Sequence, residues 1–240
     1  MHKLRSKKRY KFAFTLAEVL ITLGIIGVVA ALTIPTIIQA QQEIAAASAL
    51  KKAYSILSQA YAMAVKDNGT PDDWGDTSIK MLDTLGAYLS ITKNCGINSG
   101  CFPSGYKKLD NNPYTPDIDS AAAIAKAQLA DGSLLATSSY GSCTVHNWGS
   151  TLALQNPCGD YYVDINGSKG PNKFGYDLFM FYLTMYGIVP AGSQPDIGYR
   201  FSSCKTSASG YGCSAWVIYN ENMDYLHCSD LAWGVKTKCS

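Results

Sequence analysis

From Phe14 to Ile38 the chain is one apolar run, broken only by Glu18 and a few threonines. A helix needs about 20 such residues to cross a bilayer, and this run has 25. The apolar positions do not stop there. Ile44, Leu50, Tyr54, Leu57, Tyr61 and Val65 recur at helical spacing through an Ala- and Gln-rich stretch, and Asp67-Asn68-Gly69 ends the pattern. The spacing predicts a single helix over Phe14 to Lys66, about 80 Å long at 1.5 Å per residue, whose second half carries one apolar stripe that needs a cover. A second helix is predicted around Thr77 to Ser90, with Ile79, Leu82, Leu85 and Leu89 on one face. A Gly-, Pro- and Asn-rich loop follows to Pro116, and strands are predicted only after it. Ile124–Ala130 and Ser133–Ser139 flank Asp131-Gly132, a hairpin signal. Further strands are predicted at Tyr161–Ile165 and Leu178–Thr184. Cys213–Tyr225 fits a buried run of either kind, and the reading leans to helix.

Charge changes how the first run is read. Residues 1–13 hold six Lys/Arg and no acid, so by the positive-inside rule this leader stays in the cytoplasm and the bulk of the chain is exported. Glu18 lies inside the apolar run, where a carboxylate costs about 2.5–3.5 kcal/mol and calls for a partner. Cleavage between Ala13 and Phe14 would create that partner: a new amine one helical turn from Glu18, or beside Glu18 of a neighbouring copy. An ordinary cleaved signal peptide has an apolar core of only 7–15 residues, and a plain anchor has no use for an internal carboxylate.

Lys11 to about Ile38 resembles the prepilin-type cleavage and methylation signal of type IV pilins and type II secretion pseudopilins. The resemblance implies that a membrane peptidase and methyltransferase cuts between Ala13 and Phe14 and methylates Phe14, with Glu18 as the assembly carboxylate. It implies that Gly24, Gly27 and Pro35 let the helix loosen in a filament core. The chain departs from the family's usual Gly before the cut, having Ala13, the next smallest side chain. The implied fold is α+β: a long N-terminal transmembrane helix packed on a C-terminal antiparallel sheet with disulfides. The implied partners are other pilin or pseudopilin subunits, an inner-membrane assembly platform and membrane lipid.

The expected organisation is a leader at 1–13, a membrane or filament-core helix at 14–38, its amphipathic continuation at 39–69 and one extracytoplasmic head at 70–240. Without the leader, 14 basic side chains face 18 acidic ones, a net charge of −4, so no nucleic-acid footprint is expected. Eight cysteines, Cys95, Cys101, Cys143, Cys158, Cys204, Cys213, Cys228 and Cys239, all fall in the exported part. Their even number favours disulfides over zinc, whose structural sites use closer pairs. Chain proximity pairs them in order, among 105 possible connectivities.

Asp160 to Asp177 is rich in hard oxygen ligands. Asp164, Asn166, Asn172 and Asp177 could surround calcium, although the spacing is not that of an EF-hand, and Asx turns capping their own backbone are the alternative. No cofactor is required by this reading; calcium is the one candidate. His146 and His227 each sit near a cysteine, and no nucleophile elbow, zinc-protease helix or phosphate loop is present, so no enzyme is expected. The functional reading is a minor subunit of a type II secretion pseudopilus, with a minor type IV pilin in adhesion or DNA uptake, or a membrane-anchored binding protein, as alternatives.

Overall fold

A computed structural model describes residues 15–144, 146–194 and 196–239. Helix α1 spans Leu16–Asn68 without a break and contains Pro35. It stops where Gly69 takes φ +77°, a left-handed conformation that an L side chain resists. The chain divides into two compact units, Met1–Gln42 and Glu43–Ser240, so the later part of α1 belongs with the head. There α1 buries Ala47, Leu50, Leu57, Ala60 and Ala64, while Tyr54, Tyr61 and Val65 are half-buried. Ile44 departs from the predicted stripe and is 58% exposed. The stripe is covered by the protein's own sheet: Tyr54 stacks on Phe181 at 5.8 Å, and the Tyr61 hydroxyl donates to the Met185 carbonyl at 2.8 Å.

Helix α2, Ser78–Gly86, is shorter than predicted. Thr77 caps it through its side chain, and its inward face is Met81, Leu82 and Leu85, with Ile79 turned to solvent and Leu89 beyond its end. Ile79 loses its place because Ser78 lies on the inner side instead, where its hydroxyl donates to the Ala123 carbonyl at 2.6 Å.

The sheet has six antiparallel strands in sequence order: β1 Ile91–Gly96, β2 Ile124–Leu129, β3 Leu134–Ser139, β4 Pro157–Asp164, β5 Leu178–Thr184 and β6 Gly187–Pro190. Asp131-Gly132 turns β2 into β3, with Gly132 at φ +87°. Two strands lie outside the predicted set. β1 precedes the Gly-, Pro- and Asn-rich loop; it is an edge strand with two register shifts and a largely exposed, polar sequence. β6 is only four residues long. Short helices α3, Leu152–Gln155, and α4, Ser214–Asn220, complete the regular elements, the second within the segment read as helix.

Both faces of the central strands are buried. Ala125, Ala127, Leu135, Tyr161, Val163, Phe179, Phe181 and Leu183 pack with α1 and α2. The alternate residues, among them Leu134, Ala136, Tyr162, Leu178, Met180 and Tyr182, pack under long loops that bring in Phe102, Tyr106, Trp148, Phe174 and Tyr199. Every residue of β4 and β5 is buried as a result. Four disulfides join the chain-adjacent pairs Cys95–Cys101, Cys143–Cys158, Cys204–Cys213 and Cys228–Cys239, and all of them tie these loops and the C-terminal segment.

Candidate functional site

The N-terminal unit carries the first candidate site. Its large apolar side chains from Leu16 to Ile38 are exposed, and α1 is long and apolar enough to cross a membrane by length and composition. The threonine hydroxyls within this segment are satisfied internally, as a lipid environment demands. Thr22 donates to the Val19 carbonyl, Thr33 to that of Val29 and Thr36 to that of Thr33, all within 3.0 Å. A Cβ added at Gly24 or Gly27 would meet no atom within 4 Å. Pro35 has no N–H to donate to the carbonyl one turn back, which weakens the helix ladder there.

Glu18 lies in the first turn of α1. Its Oε2 accepts from both the backbone N–H and the hydroxyl of Thr15, each at 2.8 Å, and the Glu18 N–H returns to Thr15 Oγ1 at 3.2 Å. This is a capping box, in which two otherwise orphaned donors are satisfied reciprocally. The Thr15-x-x-Glu18 spacing carries that signal in the sequence, beside the stronger one of a lone carboxylate in an apolar run. Among the described residues Oε1 makes no hydrogen bond, so the carboxylate can hold the cap and still receive an amine. Ala13 and Phe14 lie outside the described residues.

The second candidate site is in the head, where the structure brings Asp164, Asn166, Asn172 and Asp177 together. Asp164 ends β4, and its Oδ1 accepts from the N–H groups of Asn166 and Gly167 at 3.1 and 2.9 Å, while the Tyr106 hydroxyl donates to Oδ2. Asp177 accepts from the N–H groups of Asn172 and Lys173 and, at 3.4 Å, from the Asn166 side-chain amide. Burial pushes the Asp164 carboxyl up to about 7 against the opposing Tyr106 bond, with the Asp177 charge adding to the rise. Burial also raises Asp177. The carboxylates thus cap their own loop, and the atoms left over are Asn166 Oδ1 and Asn172 Oδ1, both buried and without a hydrogen-bond partner. Among the described residues, no group of three or more His, Cys, Asp or Glu forms a metal cluster.

Beside it on the same face, Asp160 accepts from the hydroxyls of Tyr140 at 2.6 Å and Tyr199 at 3.2 Å. Burial lifts its carboxyl to about 7, and the two tyrosine bonds oppose the rise. His146 stacks on Trp148 at 5.6 Å and meets Tyr140 edge-on. His227 Nε2 lies 2.8 Å from Glu43 Oε2.

Residues 36–201, more than half of the chain, match the profile of a family of unknown function, DUF6613. The chain belongs to that family. In this DUF6613 member, residues 8–34 also match the prokaryotic N-terminal methylation motif, which is characteristic of type IV pilins and pseudopilins. The motif, the long apolar helix, the antiparallel sheet and the four disulfides together make the chain pilin-like in fold and support a pilin or pseudopilin-like subunit. No curated protein and no solved structure gives a match.

Proposed function

We propose that the chain is a minor subunit of a type II secretion pseudopilus. It is made as a single-pass inner-membrane precursor with its leader in the cytoplasm, cleaved between Ala13 and Phe14, and methylated at Phe14. The observation that carries this reading is the methylation motif over residues 8–34 on a helix with one carboxylate at its start and an exposed apolar surface. Its work is polymerisation rather than catalysis. Packing of apolar helices supplies most of the assembly energy, and Glu18 Oε1 meets the Phe14 amine of an adjacent subunit and sets register. A pair formed this way neutralises both charges in an apolar setting, which makes the carboxylate tolerable there. The bulky head favours a minor position over a uniform shaft.

Intact-mass and N-terminal analysis of protein purified from its native membrane tests the reading. A mature chain beginning at N-methyl-Phe14 is expected. An uncut chain, or cleavage beyond Ile38, overturns it in favour of an anchored binding protein. Loss of a secreted substrate on deletion, with pili retained, is expected of a pseudopilin; loss of adhesion or DNA uptake with secretion intact identifies a minor pilus subunit instead.

Calcium in the head belongs to the same reading. The two buried carboxylates and the two unpartnered amide oxygens are all hard oxygen donors, the chemistry calcium takes. Bound there, the ion would hold the Asp164–Asp177 loop closed and neutralise both carboxylates. Calcium is expected to raise the melting temperature of the full chain in detergent, and Asp177→Asn to abolish that rise. No shift at millimolar calcium removes the site.

A further inference from the structure

Two segments on one side of the head are braced apart. The 192–205 loop is pinned by Asp196, whose carboxylate accepts from the Tyr182 hydroxyl and the N–H groups of Gly192, Gly198 and Tyr199. At its other end the Cys204–Cys213 disulfide holds it. The C-terminal segment is tied back by Cys228–Cys239, and a tight turn closed by paired backbone bonds between Ala232 and Lys236 presents Trp233. The groove left between the two measures about 670 Å³, within the range of about 300–1,000 Å³ typical of small-molecule sites. Both walls are fixed before any ligand arrives, which spares binding the cost of ordering them.

The lining mixes ring surface with free polar groups. Phe201 stacks on the fully buried Trp216 at 4.3 Å, and Trp233 lies against both rings at 5.6 and 5.1 Å. Phe201 and Trp233 stay half-exposed on the groove wall, and Gln194, Arg200, Ser202 and Ser229 stand exposed around them. Among the described residues the side chains of Gln194, Ser202 and Ser229 make no hydrogen bond, and Arg200 uses only Nε, on the Ile197 carbonyl at 3.3 Å. The cations Arg200 and Lys205 do not make this side of the head basic. Asp230 lines the depression next to Lys205, Glu43 is held on His227, and Asp224 accepts from the Cys239 N–H. The groove thus offers stacking surface and hydrogen-bonding groups without a net field of either sign.

We propose that the groove binds an uncharged oligosaccharide. A sugar ring has an apolar C–H face that lies on Trp233 and Phe201, and hydroxyls at its rim that both donate and accept. The Gln194 amide and the Ser202 and Ser229 hydroxyls can do the same in return, and the Arg200 guanidinium supplies further donors. An anion gains little where acids offset the cations. A peptide docked by strand addition needs a sheet edge, and the walls of this groove are turns and loops. A purely apolar ligand would leave the polar rim unpaired. This binding role is separate from assembly and holds whichever filament the chain joins.

The test is saturation-transfer NMR on the full-length protein in a detergent without a sugar headgroup. The probes are chitotetraose, cellotetraose and maltotetraose, with a sulfated heparin tetrasaccharide as the anionic control. Transfer to the ring C–H protons of at least one uncharged probe at millimolar concentration is expected, together with a change in tryptophan fluorescence. Trp233→Ala should weaken that binding several-fold. Because Trp233 also packs on Trp216, Gln194→Ala is the second variant: its side chain is exposed and unbonded, so it should weaken binding while the melting temperature stays unchanged. No transfer to any uncharged probe overturns the proposal. Binding of the sulfated probe alone overturns it in favour of an anion site, and binding that survives both substitutions removes it from this groove.

Discussion

Glu18 Oε2 receives both donors of Thr15 at 2.8 Å, so the carboxylate that the membrane would penalise is already half satisfied by its own helix. In the proposed assembly, a partner amine need only donate to the other oxygen, Oε1. Capping is seen in the structure and pairing is proposed, and substitution can divide the two.

Glu18→Gln keeps an acceptor for Thr15 but cannot neutralise an amine. It is expected to be cleaved like the wild type and to be missing from the sheared filament fraction. Thr15→Val removes the cap oxygen, at about 1 kcal/mol, and is expected to assemble at reduced yield. Immunoblots of membrane and filament fractions separate the two. Wild-type assembly of Glu18→Gln would leave Glu18 with the cap alone.

Asp160 makes stability fall with rising pH. Its folded value of about 7 lies above the ordinary 3.8, so the folded head binds this proton more tightly than the unfolded chain does. The contribution is fully present below pH 3.8 and is lost as pH rises through 7. Asp160→Asn is expected to raise the melting temperature of the detergent-solubilised chain at pH 8. It should also shrink the difference between pH 5 and pH 8, without removing it, because Asp164 titrates in the same range. An unchanged or steeper pH slope would contradict the burial argument.

Lys126 is fully buried, and its Nζ donates to the carbonyls of Ile97, Asp119 and Ala121 at 3.1, 2.7 and 3.2 Å. Burial pulls its pKa down, and Asp119 and Asp117 push it back up. Lys126→Met leaves three acceptors unsatisfied at about 1–3 kcal/mol each where they stay dry. The 97–121 loop is expected to become the first site of limited proteolysis, read by mass spectrometry. An unchanged cleavage pattern would show that water replaces the ammonium.

The Cys143–Cys158 bridge, with a sequence separation of 15, is expected to contribute about 3 kcal/mol by restricting the unfolded chain. Cys143→Ser with Cys158→Ser should lower the denaturation midpoint accordingly. Reduction of the unfolded wild type should add the mass of eight hydrogens, since all eight cysteines are paired.

The local signals in the sequence are those that need no distant partner. The Phe14–Ile38 run and the stripe after it are visible because helical periodicity and apolar length are properties of neighbouring residues. The same holds for Asp131-Gly132, whose turn geometry depends on two residues, and for Gly69 at the end of α1. Exposed, polar β1 and four-residue β6 carry no such pattern, and only pairing with β2 and β5 makes them strands. Likewise, β4 and β5 are buried on both sides, so no period-2 alternation marks which residues face the helices and which face the loops. That hides the burial of Asp160 and Asp164, which depends on loops far away in the chain.

The sequence by itself determined the membrane-length helix, its processing motif and the position of the one carboxylate within it, since each is encoded in consecutive residues. Only the tertiary structure decided that burial lifts the Asp160 and Asp164 carboxyls to about 7 and that Lys126 closes a loop. Burial and proximity between residues distant in the chain exist only after the sheet has been covered on both faces.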